Sequence, residues 1–252
     1  MGNKKVRYSQ IDMLRGICII SMIIYHTVWD LVYIYGIDWI WYKSRLASVW
    51  QQSICWTFIL LSGFCLPMGK HPVKRGMIVF GAGGLITAVT MVIMPKQPVM
   101  FGILTFIGTC TILVGLLNKF IQKRISPIIT ATGMIINFLL FAFTYSVNYR
   151  AVGVFSEKLI RLPGKLYYNY FTAFLGFPQS GFFSTDYFSV IPWIFLFLMG
   201  YFAHFLVLDN KITREWNGRW RCRPLEWVGS HSLIIYLLHQ PVICGVLWVV
   251  VR

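Results

Sequence analysis

His26 and Asp30 stand one helical turn apart near the end of the first long apolar run of this 252-residue chain. A carboxylate beside an imidazole can take one ring proton, fix the tautomer and raise the basicity of the other nitrogen. The pattern continues inward. Asp12, Arg15, Ile19, Met22, His26 and Asp30 step by three or four residues and so share one side of a helix. Asp12 and Arg15 can pair at one end, with His26 about 16 Å beyond Arg15 at a rise of 1.5 Å per residue. The last apolar run has its own stripe. Ser232, Tyr236 and His239 are spaced i, i+4, i+7, and Gln240 lies one turn beyond Tyr236. Pro241 then ends the regular hydrogen bonding. Counted outward from near Leu225, His239 reaches a depth comparable to that of His26. Each stripe also has a plainer reading. The His26–Asp30 pair could bond to neighbouring helices or interfacial water, and His239 could be a satisfied packing histidine.

The elements that must position these groups are membrane spans. Hydrophobic residues make up 57% of the chain and charged residues 12%, against about 25% charged in soluble domains. Ten Trp and thirteen Tyr suit aromatic belts at two interfaces. The net charge of +15 comes from short Lys/Arg runs between apolar stretches, the pattern of membrane-flanking charge rather than of nucleic-acid binding. With about 20 apolar residues needed per span, spans are expected near 11–34, 47–68, 74–94, 99–118, 126–147, 187–208 and 227–250. The expected fold is therefore all-α, a polytopic transmembrane bundle of about seven spans (six to eight). The segment 148–186, rich in aromatics, Gly and Pro, is left room for a re-entrant or interfacial helix.

Ionisable groups within such spans are costly, and they usually face a cavity or a partner. An N-terminus on the cytoplasmic side puts 14 Lys/Arg in inner segments, among them Lys4, Lys5, Arg7, Lys211, Arg214 and Arg219, and 8 in outer ones, Arg252 included. The positive-inside rule favours that orientation. The basic opening MGNKKVR precedes a run too long for a secretory signal and is read as flanking an uncleaved first span. Six cysteines without a CxxC pair read as small buried hydrophobes, and no metal site is expected. Asp186 opens the sixth span, where it can serve as an N-cap, and Trp193 follows two turns below. His71 reads as solvated; His204 and His231 fall near the inner side. Gly81, Gly83 and Gly84 form no nucleotide fingerprint and suit close helix packing.

Five motifs, in order, carry a resemblance: IDMLRGICIISMIIYHTVWDL (11–31), FILLSGFCL (58–66), FGILTFIG (101–108), DYFSVIPWIFLFLMG (186–200) and WVGSHSLIIYLLHQPV (227–242). Together they resemble the catalytic-domain family of heparan-α-glucosaminide N-acetyltransferase, closest to its compact bacterial branch. The D-x-x-R-G start and late histidine of the first span also resemble the wider transmembrane acyltransferase superfamily. By motif position, Asp12, Arg15, His26, Asp30, Asp186, Trp193, His239 and Gln240 are carried over.

The resemblance implies a single acyltransferase-like domain over 1–252, with 148–186 extracytoplasmic. It implies an enzyme of the cell (plasma) membrane moving an acetyl or acyl group from cytoplasmic acyl-CoA, acetyl-CoA foremost, to a sugar hydroxyl or amine outside. Arg15, with Asp12, Ser232 and Tyr236, would serve the acyl-CoA. His26, Asp30 and His239 would be catalytic, with His26 as base and His239 or Tyr236 donating to the thioester oxygen. Asp186, Trp193 and Gln240 would meet the acceptor. The aromatic stretch 165–177 could stack on a sugar. The expected partners are the lipid bilayer, acyl-CoA and a glycan acceptor, with a homodimer compatible and no nucleic acid.

The chain departs from the family in three places, one of them His26 itself, at whose position the lysosomal member has Asn. The stretch 35–50, where the lysosomal member has its proposed acetyl-accepting histidine, contains no His. Thr105 stands where bacterial relatives often carry His. A proton-coupled transporter and a non-catalytic membrane partner of glycan assembly are the rival classes. The absence of an inverted repeat weighs against the first, and polar stripes on two separate helices weigh against the second.

Overall fold

The computed structural model describes residues 8–208 and 221–251. Lys4, Lys5, Arg7, Lys211, Arg214, Arg219 and Arg252, which enter the orientation argument, lie outside them. The chain is an all-α polytopic membrane protein, and among the described residues six helices are long and apolar enough to cross a bilayer. Helix α1 covers Ser9–Tyr33, α2 Arg45–Phe64, α3 Pro72–Ile93, α4 Ile103–Gln122 and α5 Pro127–Thr144. Helix α6 covers Tyr170–Leu175, α7 Val190–Leu208, α8 Arg223–Ser230 and α9 Ser232–Val250. Helix α2 has the length of a span but is not among the six. Its N-terminal half, RLASVWQQS, is too polar, and the six fall within the expected six to eight.

Lipid is written into the burial pattern. On α1, Leu14, Ile17, Ile20 and Ile24 are exposed, whereas Asp12 and Asp30 are buried. On α3, Met77, Ile78, Leu85, Val92 and Ile93 also face outward. An apolar exterior around a partly polar interior suits a hydrocarbon solvent, where no water can satisfy a polar group.

Two compact units divide the chain, one within Met1–Phe58 and Asn210–Arg252, the other within Ile59–Asp209. In the first, α1 packs against α8 and α9. The α1–α8 contact depends on two glycines. A Cβ on Gly229 would overlap the carbonyl oxygen of Asp12, and one on Gly16 would overlap that of Leu225. Backbones this close leave room only for hydrogen, as at other small-residue crossings in membranes. The start of α2 is tied to α1 by Trp50 Nε1 donating to Ser21 Oγ at 2.8 Å, and Tyr42 donates to the Tyr25 carbonyl at 3.2 Å. The expected last span is broken. Helix α8 stops at Ser230, and His231 Nδ1 lies 2.9 Å from the Trp227 carbonyl before α9 begins.

In the second unit, α3 packs on α4 and α5 on α7. Of the three clustered glycines, only Gly83 lies against a neighbour, Thr105 on α4; a Cβ on Gly81 or Gly84 would meet open space. His204 Nδ1 approaches the Phe64 carbonyl at 2.9 Å, at the end of α2. The segment 148–186 contains no helix of span length. It holds an antiparallel pair, β1 (Ala151–Val154) and β2 (Glu157–Arg161), and the short α6, whose Asn169 and Thr172 form a reciprocal cap.

Candidate functional site

The first unit assembles most of the expected site residues from α1 and α9. The ring centroids of His26 and His239 are 5.0 Å apart, tilted by 56°. Tyr236 lies 5.2 Å from the His239 ring and stacks on Phe58 at 6.1 Å. His239 Nδ1 is hydrogen-bonded to the Tyr236 carbonyl of its own helix. A carbonyl has no proton to give, so Nδ1 is the donor and Nε2 keeps its lone pair. Local sequence explains why that nitrogen is taken up. Residues three apart on a helix are neighbours, so the His239 ring reaches back to the carbonyl of Tyr236.

One turn along α1, the partner of Asp30 differs from the sequence expectation. Asp30 is fully buried, and both its oxygens accept from Gln240 Nε2, at 2.9 and 3.0 Å. The Cys244 thiol approaches Oδ2 at 3.7 Å. The sequence expectation is that Asp30 takes the ring proton of His26; instead Gln240, the residue after His239 on α9, reaches it. Sequence reasoning also missed Cys244, although it lies four residues after Gln240 and so on the same helix face. At the other end of α1, Arg15 Nη1 and Asp12 Oδ1 are 3.5 Å apart, beside the glycine crossing with α8. Ser232 is the first residue of α9, two turns before His239.

Asp186 and Trp193 belong to the second unit. Asp186 does not cap the helix it precedes. Its Oδ2 accepts from the backbone N–H of Ile103 at 3.1 Å, at the start of α4. Ser184 reinforces the link by donating to the Met100 carbonyl and accepting from the Met100 N–H, both at 2.9 Å. Trp193 is 8% exposed and packs among Phe141, Tyr145 and Phe188, which leaves little face for a ligand. Outside the spans, Tyr168, Tyr170 and Phe171 are exposed, whereas Tyr167 is buried and donates to the Val147 carbonyl at 2.6 Å.

Burial raises the Asp186 carboxyl to about 6, with the Ile103 N–H pulling the other way. Between the ordinary carboxylate range near 4 and about 6, the folded chain then holds a proton that the unfolded chain has released. This contribution to stability is full below pH 4 and is lost as pH rises to about 6. Asp186→Asn keeps an acceptor for Ile103 and removes the titration. Its thermal midpoint in detergent should therefore vary less between pH 4 and 6.5 than that of the unmodified chain. Parallel curves for the two would contradict the assignment.

Comparison with known proteins adds one match. A family model described as heparan-alpha-glucosaminide N-acetyltransferase, catalytic, matches residues 7–241. No curated protein and no solved structure matches the chain.

Proposed function

This chain belongs to the heparan-α-glucosaminide N-acetyltransferase catalytic family, and from that premise we propose that it transfers an acetyl or acyl group from cytoplasmic acyl-CoA to a sugar amine or hydroxyl on the extracytoplasmic side. The family makes it a multi-pass membrane acetyltransferase in general terms. The donor, the sidedness and the acceptor are our reading, as are the cytoplasmic N-terminus, the plasma membrane and a single catalytic domain over the whole chain. The observation that carries the reading is the imidazole pair, His26 and His239, held together at 5.0 Å by two different helices.

The geometry favours an exchange of the roles expected from sequence. His239, with Nδ1 occupied, presents Nε2 as the base. As the acceptor nitrogen or oxygen bonds to the thioester carbon, Nε2 takes the acceptor's proton. His26 donates a hydrogen bond to the thioester oxygen, where negative charge develops. Collapse of the tetrahedral species breaks the C–S bond. The proton on Nε2 then passes to the departing CoA sulfur, so His239 ends as it began. Arg15 supplies positive charge for CoA phosphates, with Asp12 holding it in place. Ser232 and Tyr236 line the path along α9 toward the histidines, and no covalent acetyl-enzyme is needed.

Acetyl-CoA at 100 times its dissociation constant should stabilise the purified protein by about 2.7 kcal/mol. Arg15→Ala should weaken that stabilisation. A melting curve unmoved by millimolar acetyl-CoA would favour a transporter or a scaffold instead.

A further inference from the structure

Gln240 holds the least explained atom of the site. Its Nε2 donates to both oxygens of Asp30, so the amide has one orientation available. Turned over, its oxygen would face a carboxylate and two acceptors would meet. The other end of the amide, Oε1, is buried and has no hydrogen-bond partner among the described residues. Folded proteins rarely leave a buried acceptor unmatched, and each such atom calls for an explanation, a catalytic role among them. Asp30 is one turn from His26 on α1, and Gln240 is the residue after His239 on α9. The Asp30–Gln240 bond is thus a rung next to the imidazole pair.

An unmatched carbonyl oxygen selects for a donor. The thioester centre has none: its sulfur and carbonyl oxygen only accept. The group to be acylated does carry N–H or O–H. We propose that Gln240 Oε1 binds an N–H or O–H of the acceptor sugar, and that Asp30 is a positioning residue which acts through Gln240 by locking its amide. This rests on the acetyltransferase reading and assigns Asp30 a role away from His26.

The test needs no turnover. The probe is glucosamine, added without acetyl-CoA to purified protein in detergent, with the thermal midpoint as readout. The unmodified chain should be stabilised by tens of millimolar glucosamine, at about the scale set by mass action. Gln240→Met, which keeps shape but has no amide acceptor, should lose that shift. Asp30→Asn should lose it too, because Asn can donate to Oε1 and let the amide turn over. Gln240→Met/Asp30→Asn together should bind no worse than either alone, and all three should keep the shift caused by acetyl-CoA. A glucosamine shift that is absent from the unmodified chain, or equal in all variants, overturns the proposal. So does a variant that loses the acetyl-CoA shift and keeps the glucosamine one, since that places Oε1 on the pantetheine amide. Failure of the acetyl-CoA shift in the unmodified chain would strike the functional reading instead.

Discussion

His239→Ala is expected to lower acetyl transfer from acetyl-CoA by about 10²- to 10⁴-fold, the range over which a positioned acid–base group contributes. The expectation follows from one hydrogen bond. Because the Tyr236 carbonyl takes up Nδ1, Nε2 is free to accept a proton beside the His26 ring. His26→Ala should also slow transfer, by about 10²- to 10³-fold if the ring donates to the thioester oxygen as an oxyanion donor does. The two losses should not simply multiply, since both groups act on one transition state. Acetyl-CoA should still stabilise both variants, because Arg15, proposed to meet its phosphates, lies at the far end of α1. Rates measured with labelled acetyl-CoA, next to thermal midpoints, separate this from a packing role. A packing histidine would lower the midpoint and leave the rate per folded molecule near normal.

The second large effect is structural. Gly229→Val should cost on the order of 3 kcal/mol or more, at the upper end of overpacking penalties. The new Cβ would meet the Asp12 backbone carbonyl rather than the flexible tip of a side chain. Relief requires α8 to move off α1, which carries Asp12 and Arg15 with it. Gly16→Leu should act alike from the other side, through the Leu225 carbonyl. In contrast, Gly84→Ala inside α3 meets open space and should leave the stability unchanged or raise it by up to about 1 kcal/mol, the difference in helix propensity. Size-exclusion profiles and thermal midpoints of the three variants in one detergent would check the order. A Gly229→Val chain as stable as Gly84→Ala would mean that the crossing is looser than described.

Much of the membrane architecture was legible because it rests on composition and period. Runs of about 20 apolar residues announce spans whatever their neighbours do. The inward face of α1 could be read from the spacing of Asp12, Ile19, Met22 and Asp30, all of them buried. The two imidazoles could be matched in depth by counting residues along two helices, and they are neighbours. Partners across helices were not legible, because nothing local in the sequence states them. Asp30 has His26 one turn away on its own helix, yet it bonds Gln240, 210 positions later. Asp186 precedes α7 but caps α4, since the chain between them folds back. The break at His231 falls in the short polar run Gly229-Ser230-His231-Ser232, which the expected span 227–250 took in along with the apolar stretch that follows. Similarly, the β1–β2 pair is too short to show a period within an aromatic loop.

The reaction proposed for the His26–His239 pair is acetyl transfer across a membrane. It is tested most directly in proteoliposomes loaded with glucosamine and given labelled acetyl-CoA outside, with the protein inserted in both orientations. Labelled acetyl-glucosamine should accumulate inside vesicles carrying the unmodified chain and fall to background with His239→Ala. Equal accumulation with both chains, or none with either, would contradict the account.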